Sequence, residues 1–131
     1  MKRAEKVCQE YVDRLSIKCS ALSEKIALLS GGNQQKVIIA KWLSIGPSLL
    51  IMNDPTRGID VGAKAEIYTL IDQIAQDGTC ILLISSEAPE MLGMADRVYT
   101  MYRGRINAEL QRTTERFTQE VLLSCASGRV A

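Results

Sequence analysis

Leu49-Leu50-Ile51-Met52-Asn53-Asp54-Pro55 is the stretch that decides the fold of this chain. Its first four residues form an apolar run without alternation, which is typical of a strand buried on both faces of a parallel sheet. Cys80–Ile84 is a second run of this kind. Residues 62–76 between them have the pattern of an amphipathic helix, with inward positions at Ile67, Leu70, Ile71 and Ile74. Strand, helix and strand in this order predict a βαβ unit with a right-handed crossover.

The residues before this stretch predict two helices. One covers residues 4–16, with Val7, Tyr11, Val12 and Leu15 on one face. Residues 17–29 are predicted to be a loop with a short turn. The second helix starts after Gly31-Gly32 and runs to about Leu43, where Gly46-Pro47 stops it. The predicted buried face of this helix consists of Val37, Ile38, the stem of Lys41 and Trp42.

Three further elements are predicted after the second strand. Pro89 suits the first turn of a short helix over Pro89–Met94. Arg97–Met101 and Arg105–Leu110 form a predicted hairpin around Arg103-Gly104. A terminal helix is predicted from Thr114 to Cys125, with Phe117, Val121 and Leu122 as its apolar positions and a frayed tail over residues 126–131.

The composition excludes several classes of function. Lys and Arg number 16 and Asp and Glu number 15, so there is no electrostatic case for nucleic acid as a partner. The sequence contains no histidine, which excludes Ser-His-Asp and Cys-His catalysis and most zinc sites within this chain. Cys80–Ile84 is the longest uninterrupted apolar run and is far shorter than the roughly 18–20 residues that cross a bilayer. The charged N-terminus is not followed by the apolar segment of a signal peptide.

Leu29-Ser30-Gly31-Gly32-Asn33-Gln34-Gln35-Lys36 places a serine and two glycines directly before a predicted helix. The free N–H groups and the positive dipole end of a helix start attract anions. The glycines allow a phosphate to approach the backbone closely. An alternative is that Ser30 is an ordinary N-cap residue followed by flexible glycines.

Together with Pro55–Lys64 (PTRGIDVGAK), the string Leu29–Val37 (LSGGNQQKV) resembles the second nucleotide-binding domain of ribose, galactose and arabinose import ATPases of the ABC family. The resemblance continues through Ile84-Ser85-Ser86-Glu87 and Ala95–Val98, and it covers most of residues 10–125. It implies an α/β fold, an incomplete P-loop NTPase (RecA-like) domain with parallel strands flanked by helices.

The resemblance also implies how the chain is divided. Residues 1–45 correspond to the end of the helical subdomain and the signature helix. Residues 46–112 correspond to the Walker B, D-loop and switch core, and residues 113–131 to the C-terminal helix and tail.

In this family the signature motif contacts the γ-phosphate of an ATP that is bound by the P-loop of a partner domain. The resemblance assigns this role to Ser30, Gly31, Gly32 and Gln34. It places Asp60, in the D-loop Gly58-Ile59-Asp60, along the same interface.

The Walker B positions depart from the family pattern of aspartate followed by glutamate. Asn53 stands at the metal position and offers Mg²⁺ an oxygen without charge, although Mg²⁺ favours carboxylates. Asp54 stands at the position of the catalytic glutamate. Its carboxylate is expected about 1–1.5 Å further back, and such a displacement costs on the order of a hundredfold in rate. Because strand residues alternate faces, Asn53 and Asp54 are not expected to exchange roles.

The switch position after the second strand carries Ser86, where most ABC ATPases have a histidine; serine is common in the sugar-import branch. No Gly-x-x-x-x-Gly-Lys-Ser/Thr occurs in the 131 residues. Binding of ATP and Mg²⁺ is therefore expected to require a partner domain. The strand that carries the P-loop in the family is also missing, which predicts an exposed apolar edge beside Cys80–Ile84.

Three functional hypotheses follow. The first is part of the ATP-binding subunit of a monosaccharide importer, peripheral at the cytoplasmic face of the bacterial inner membrane. Its partners would be another ABC nucleotide-binding domain, membrane permease subunits and, indirectly, a periplasmic sugar-binding protein. The second is an inactive remnant or accessory, non-enzymatic half-domain. The third, an ABC ATPase acting on DNA, is disfavoured because the chain has no coiled-coil heptads.

Overall fold

A computed structural model describes residues 2–129 of the chain. The chain divides into two compact units, and the boundary between them falls between Leu82 and Leu83. The first unit contains α1 (Lys2–Arg14), a 3₁₀ turn (Ile26–Leu28), α2 (Gly31–Leu43), β1 (Leu49–Asn53), α3 (Val61–Gln76) and the start of β2 (Cys80–Ile84). The second contains the end of β2, α4 (Ala88–Met94), β3 (Arg97–Tyr102), β4 (Arg105–Gln111) and α5 (Gln119–Ala126).

The predicted strand–helix–strand unit is confirmed. β1 and β2 are neighbours in a two-stranded sheet, and α3 connects them. Of the four predicted inward positions of α3, Ile67, Ile71 and Ile74 are buried and Leu70 is half-buried. Their spacing places one apolar stripe of the helix toward the core.

The expectation that both strands are buried on both faces is wrong within the two units as described. Leu50 and Met52 of β1 are buried, whereas Leu49 and Ile51 are 47% and 59% exposed. In β2, exposed and half-buried residues alternate in the same way. An unbroken apolar run predicts that both faces of a strand are packed against other elements. Within the first unit, however, only one face of β1 is packed.

The predicted buried face of α2 is also wrong. Of the four predicted positions, Val37 is half-buried, Ile38 and Trp42 are about half exposed, and Lys41 is exposed. The buried positions of α2 lie on a neighbouring stripe: Gly32, Lys36, Ile39, Ala40 and Leu43. The apolar pattern misleads here because a lysine takes a buried position, while a tryptophan and an isoleucine face outward.

Helix α1 begins two residues earlier than predicted and ends at Arg14 rather than at residue 16. Leu15, just after its end, is buried, but Val7 is 39% exposed. The hydroxyl of Tyr11 donates a hydrogen bond of 3.0 Å to the carbonyl oxygen of Leu43, which ties α1 to the end of α2.

The second unit is an antiparallel hairpin packed on two helices. β3 pairs with β4 in the register Val98↔Leu110 and Tyr102↔Arg105. The connecting residues Arg103 and Gly104 both have positive φ, as a two-residue hairpin turn requires. The core of this unit consists of Ala88, Met91, Val98, Leu110 and Leu122.

The helices of the second unit start close to their predicted positions, with one correction. Pro89 lies in the first turn of α4, as expected. Helix α5 begins at Gln119 and not at Thr114, because Thr118 is its N-cap and Thr114 lies in the preceding turn. The prediction of a frayed tail falls partly on residues 130 and 131, which lie outside the described residues.

Candidate functional site

Ser30 is the N-cap residue of α2, but its side chain does not cap the helix. Its hydroxyl oxygen instead accepts a hydrogen bond of 2.8 Å from Nδ2 of Asn33. Asp60 and Thr118 behave differently, since each accepts a hydrogen bond from a backbone N–H in the first turn of its own helix. The alternative that Ser30 is an ordinary N-cap side chain therefore does not describe the observed geometry.

Asn33 links Ser30 to the loop that precedes the motif. Its side-chain oxygen Oδ1 accepts a hydrogen bond of 2.8 Å from the backbone N–H of Lys18. A backbone N–H can only donate, so the carboxamide must turn its oxygen to Lys18 and its NH₂ group to Ser30. The two hydrogen bonds thereby define the positions of the oxygen and the NH₂ group of the Asn33 carboxamide.

The two glycines of the motif have different surroundings. A Cβ at Gly31 would meet no atom within 4 Å. A Cβ at Gly32 would lie 2.8 Å from Cβ of Ala63 in α3, closer than side-chain carbons approach in proteins. Gly31 thus leaves open space at the start of α2, and Gly32 allows α2 and α3 to cross closely.

Lys36 holds the same two helices together one turn further along. Its side chain is only 7% exposed, and its Nζ lies 2.8 Å from Oε2 of Glu66 in α3. The same ammonium group donates a hydrogen bond of 3.2 Å to the carbonyl oxygen of Ser16. The hydrogen bond from Lys36, followed by the charge of Lys36, lowers the pKa of Glu66.

These contacts bring two of the predicted site segments together. Gly32 packs against Ala63, and the backbone N–H of Ala63 donates to Oδ1 of Asp60 at 2.9 Å. The starts of α2 and α3, with Ser30 and Asp60 as their N-cap residues, therefore lie side by side. Both helices direct the positive ends of their dipoles to this part of the first unit.

Gln34 uses its side chain within the motif. Its Nε2 donates a hydrogen bond of 2.9 Å to the carbonyl oxygen of Leu29. In this conformation the amide nitrogen supports the turn that enters α2. A contact of Gln34 with a phosphate stays a prediction.

Asn53 and Asp54 lie where β1 ends. Asn53 is the last residue of β1 and is exposed, whereas Asp54 is half-buried and has a φ of 44°. This left-handed backbone is uncommon outside glycine, although aspartate tolerates it better than most residues do. Because the strand stops at Asn53, the alternation of strand faces does not govern the direction of Asp54, and that part of the sequence argument is corrected. The turn continues through buried Pro55 and Thr56 to Gly58. The φ of 74° at Gly58 lies in the left-handed region, which favours glycine.

The residues at this strand end supply only part of the coordination of a magnesium ion. Mg²⁺ prefers near-octahedral coordination by oxygens, usually with one or two carboxylates. Asn53 supplies a neutral oxygen and Asp54 a single carboxylate. Within residues 2–129, no group of three or more His, Cys, Asp or Glu side chains is arranged to hold a metal ion.

Ser86 belongs to the second unit and is exposed in the bend that follows β2. The neighbouring Ser85 accepts a hydrogen bond of 3.0 Å from the backbone N–H of Glu87. The role of Ser86 as a switch residue stays a prediction.

Two further features concern the surface of the first unit and the helices of the described residues. A groove of about 480 Å³ in the first unit lies between α1, residues 17–29 and α2, and apolar side chains line most of it. No helix among the described residues is both long enough and apolar enough to cross a bilayer.

No protein-family model matches the chain. Over 122 residues it is 51% identical to a ribose import ATP-binding protein of Streptomyces coelicolor. The matched region covers 93% of this chain and 24% of that protein. It is 50% identical over 123 residues to a xylose import ATP-binding protein of Geobacillus kaustophilus, covering 94% of this chain and 24% of that protein. The chain thus spans about a quarter of the length of these curated relatives.

Solved structures show the same fold. A nucleotide-free ATP-binding cassette from an ABC transporter superposes with a TM-score of 0.79 at 24% identity, covering 90% of this chain and 46% of that one. A dimeric bacterial ABC transporter cassette superposes with a TM-score of 0.71 at 22% identity, covering 83% and 47%. The expected α/β fold, part of an ABC ATPase cassette, is confirmed.

Proposed function

We propose that this chain, homologous over most of its length to one segment of the ribose and xylose import ATP-binding proteins, supplies the signature half of a composite ATP site. The observation that carries the proposal is the start of α2. There Ser30 precedes a helix that begins with Gly31 and Gly32, and the serine side chain does not cap the first turn of that helix. The ligand of this half-site is the terminal phosphate of an ATP that a partner domain holds in its P-loop.

The start of α2 attracts a phosphate in three ways. The first-turn N–H groups and the helix dipole provide partial positive charge. Gly31 leaves the space beside the backbone open, so that a phosphate oxygen can approach within hydrogen-bonding distance. Ser30, which directly precedes Gly31, is exposed.

Because α2 packs on α3, the signature motif and the D-loop are expected to move together. Gly32 on Ala63 and the ion pair of Lys36 with Glu66 fasten the two helices at two levels. The side chain of Asp60 caps α3, so the D-loop backbone follows any movement of α3. A phosphate that orders the start of α2 therefore also orders the D-loop beside it.

The chain is not hydrolytic by itself in this proposal. It contains no P-loop sequence, so it has no backbone cradle for the α- and β-phosphates. At the Walker B positions, Asn53 lacks the charge of an aspartate and Asp54 is shorter than a glutamate. Mg²⁺ is bound with the nucleotide by the partner domain, because the donor groups of this chain do not suffice. Ser86 contributes at most a neutral hydrogen bond at the switch position.

The wider assembly is that of a sugar importer. The relatives are named for import of ribose and xylose, which supports membrane permease subunits as partners and, through them, a periplasmic sugar-binding protein. The dimeric cassette among the similar structures supports a second nucleotide-binding domain as the direct partner. In this proposal the chain lies peripherally at the cytoplasmic face of the bacterial inner membrane.

A second candidate is an accessory or inactive half-domain. Asn53 favours it, because the chain's own Walker B position then brings no metal-binding charge to the assembly. The two candidates share the phosphate contact of the signature and differ in whether the composite site turns over.

ATPase measurements test the proposal and separate the two candidates. Purified chain alone is expected to show no Mg²⁺-dependent turnover above that of Ser30→Arg. Turnover by the chain alone that Ser30→Arg abolishes would contradict the proposal. Mixed with a P-loop-bearing nucleotide-binding domain from a ribose import relative, the chain is expected to increase ATP binding. If ATP binding increases without turnover, the accessory half-domain is the correct description.

A further inference from the structure

We propose that Asn33 is a positioning residue that fixes the hydroxyl of Ser30 as a hydrogen-bond donor toward the ligand. The inference rests on the proposed function, because the ligand is the terminal phosphate at the start of α2. It adds a residue that the proposed function did not use, and it explains why the serine does not cap its own helix.

The orientation of the Asn33 carboxamide is set by the loop before the motif. Its oxygen accepts from the backbone N–H of Lys18 at 2.8 Å. Exchanging the oxygen and the nitrogen of the carboxamide would place two donors against each other. The NH₂ group is therefore the part of Asn33 that lies 2.8 Å from Oγ of Ser30.

This contact decides the sense of the hydroxyl group. A serine hydroxyl has one proton to donate and two lone pairs to accept with. Nδ2 of Asn33 occupies one lone pair, because it can only donate. The hydroxyl proton must then point away from Asn33, so Ser30 offers a donor to a second partner.

A donor at this place suits a phosphate oxygen. An ionised phosphate oxygen only accepts hydrogen bonds, and bonds to a charged acceptor are about twice as strong as bonds between neutral groups. Without Asn33, the Ser30 hydroxyl can rotate and accept from a first-turn N–H of α2, as Thr118 does in α5. That rotation would compete with the ligand for the same N–H groups.

The first test needs no ligand. In a ¹⁵N-labelled sample of the full chain, the side-chain NH₂ resonances of Asn33 are compared between the wild type and Ser30→Ala. The proposal predicts a clear change of these resonances, with the backbone amide of Lys18 retained in place because its bond to Asn33 persists. Unchanged NH₂ resonances of Asn33 would overturn the proposal.

The second test is a double-mutant cycle on the ATP-dependent association of the chain with a P-loop-bearing nucleotide-binding domain of a ribose import relative. It is read from backbone amide shifts of residues 30–33 at constant ionic strength. Asn33→Ala is expected to weaken this ATP-dependent association by about threefold to tenfold, the loss typical of one hydrogen bond. In a Ser30→Ala background the same substitution is expected to have no further effect. Gln35→Ala, on the same turn of α2, is the control and is expected to leave affinity unchanged.

The outcomes separate the two claims. If the wild type gives no ATP-dependent shifts at residues 30–33 with the P-loop-bearing domain present, the proposed function fails, while the ligand-free comparison still decides whether Asn33 holds Ser30. If the wild type associates in ATP and Asn33→Ala costs as much in the Ser30→Ala background, Asn33 acts on the fold of residues 17–29 and the positioning role is overturned.

Discussion

Gly32→Ala is expected to separate the motif's structural glycine from its ligand-facing glycine. The added methyl carbon would lie 2.8 Å from Cβ of Ala63, well inside the contact distance of two carbon atoms. The helices must therefore move apart to accommodate the methyl group. The ion pair of Lys36 with Glu66 holds α2 against α3 one turn further along and opposes their separation.

The magnitude follows from two opposing effects. Overpacking in a well-packed contact typically costs about 1–3 kcal/mol. Replacing glycine by alanine within a helix returns up to about 1 kcal/mol. With an overpacking cost of about 2 kcal/mol, the middle of that range, the expected net loss is about 1–2 kcal/mol of unfolding free energy. This loss lowers the urea midpoint by about 0.5–1 M for a typical m-value near 2 kcal/mol/M.

Urea unfolding followed by the fluorescence of Trp42, the single tryptophan, reports on the helix concerned. Gly31→Ala is the matched control, because no atom lies within 4 Å of its added carbon, and it is expected to be neutral or slightly stabilising. Ala63→Gly should relieve the clash, so the cycle of Gly32→Ala with Ala63→Gly is expected to show a favourable coupling of about 1–3 kcal/mol. Equal midpoints for the two glycine variants, or additive effects in the cycle, would refute the reasoning.

Three other substitutions test contacts within the two units. Glu66→Gln removes a carboxylate whose pKa Lys36 lowers, so the wild type is expected to be more stable than this variant above the carboxyl's unfolded pKa of about 4.5. That advantage should shrink as the pH falls through the lowered folded pKa, and urea midpoints at a series of pH values would contradict it if the gap stayed constant. Tyr11→Phe loses the bond to Leu43 and is expected to cost about 0.5–1.5 kcal/mol in urea unfolding. Thr118→Ala removes the cap of α5 and should cost about 1 kcal/mol by circular dichroism, a value near zero showing that the cap does not contribute.

The sequence predicted the order of the elements because their signals are local. Apolar runs around an amphipathic segment indicated β1, α3 and β2, and a glycine at a two-residue turn indicated the hairpin of β3 and β4. Helix α5 started late because Thr118, rather than Thr114, satisfied the first-turn N–H groups. Such a choice between neighbouring caps depends on the path of the preceding turn, which the local sequence does not determine.

The site was predicted less completely, since its support comes from residues distant in sequence. Ser30, Gly31 and Gly32 were predicted from the motif. The partnership of Lys36 with Glu66 spans 30 residues, and the bond from Asn33 to Lys18 spans 15. One sequence signal pointed to the first of these: Lys36 lies four residues after Gly32, on the same helix face. The predicted buried face instead consisted of Val37, Ile38, the stem of Lys41 and Trp42.

The central claim is that the start of α2 recognises the terminal phosphate of a nucleotide held by another domain. It is tested most directly by the affinity between the labelled chain and a P-loop-bearing nucleotide-binding domain of a ribose import relative, measured by fluorescence anisotropy in ATP and in ADP. The account predicts tighter association in ATP than in ADP, and loss of that difference in Ser30→Arg. Equal affinity in the two nucleotides, or an ATP effect that survives Ser30→Arg, would contradict it.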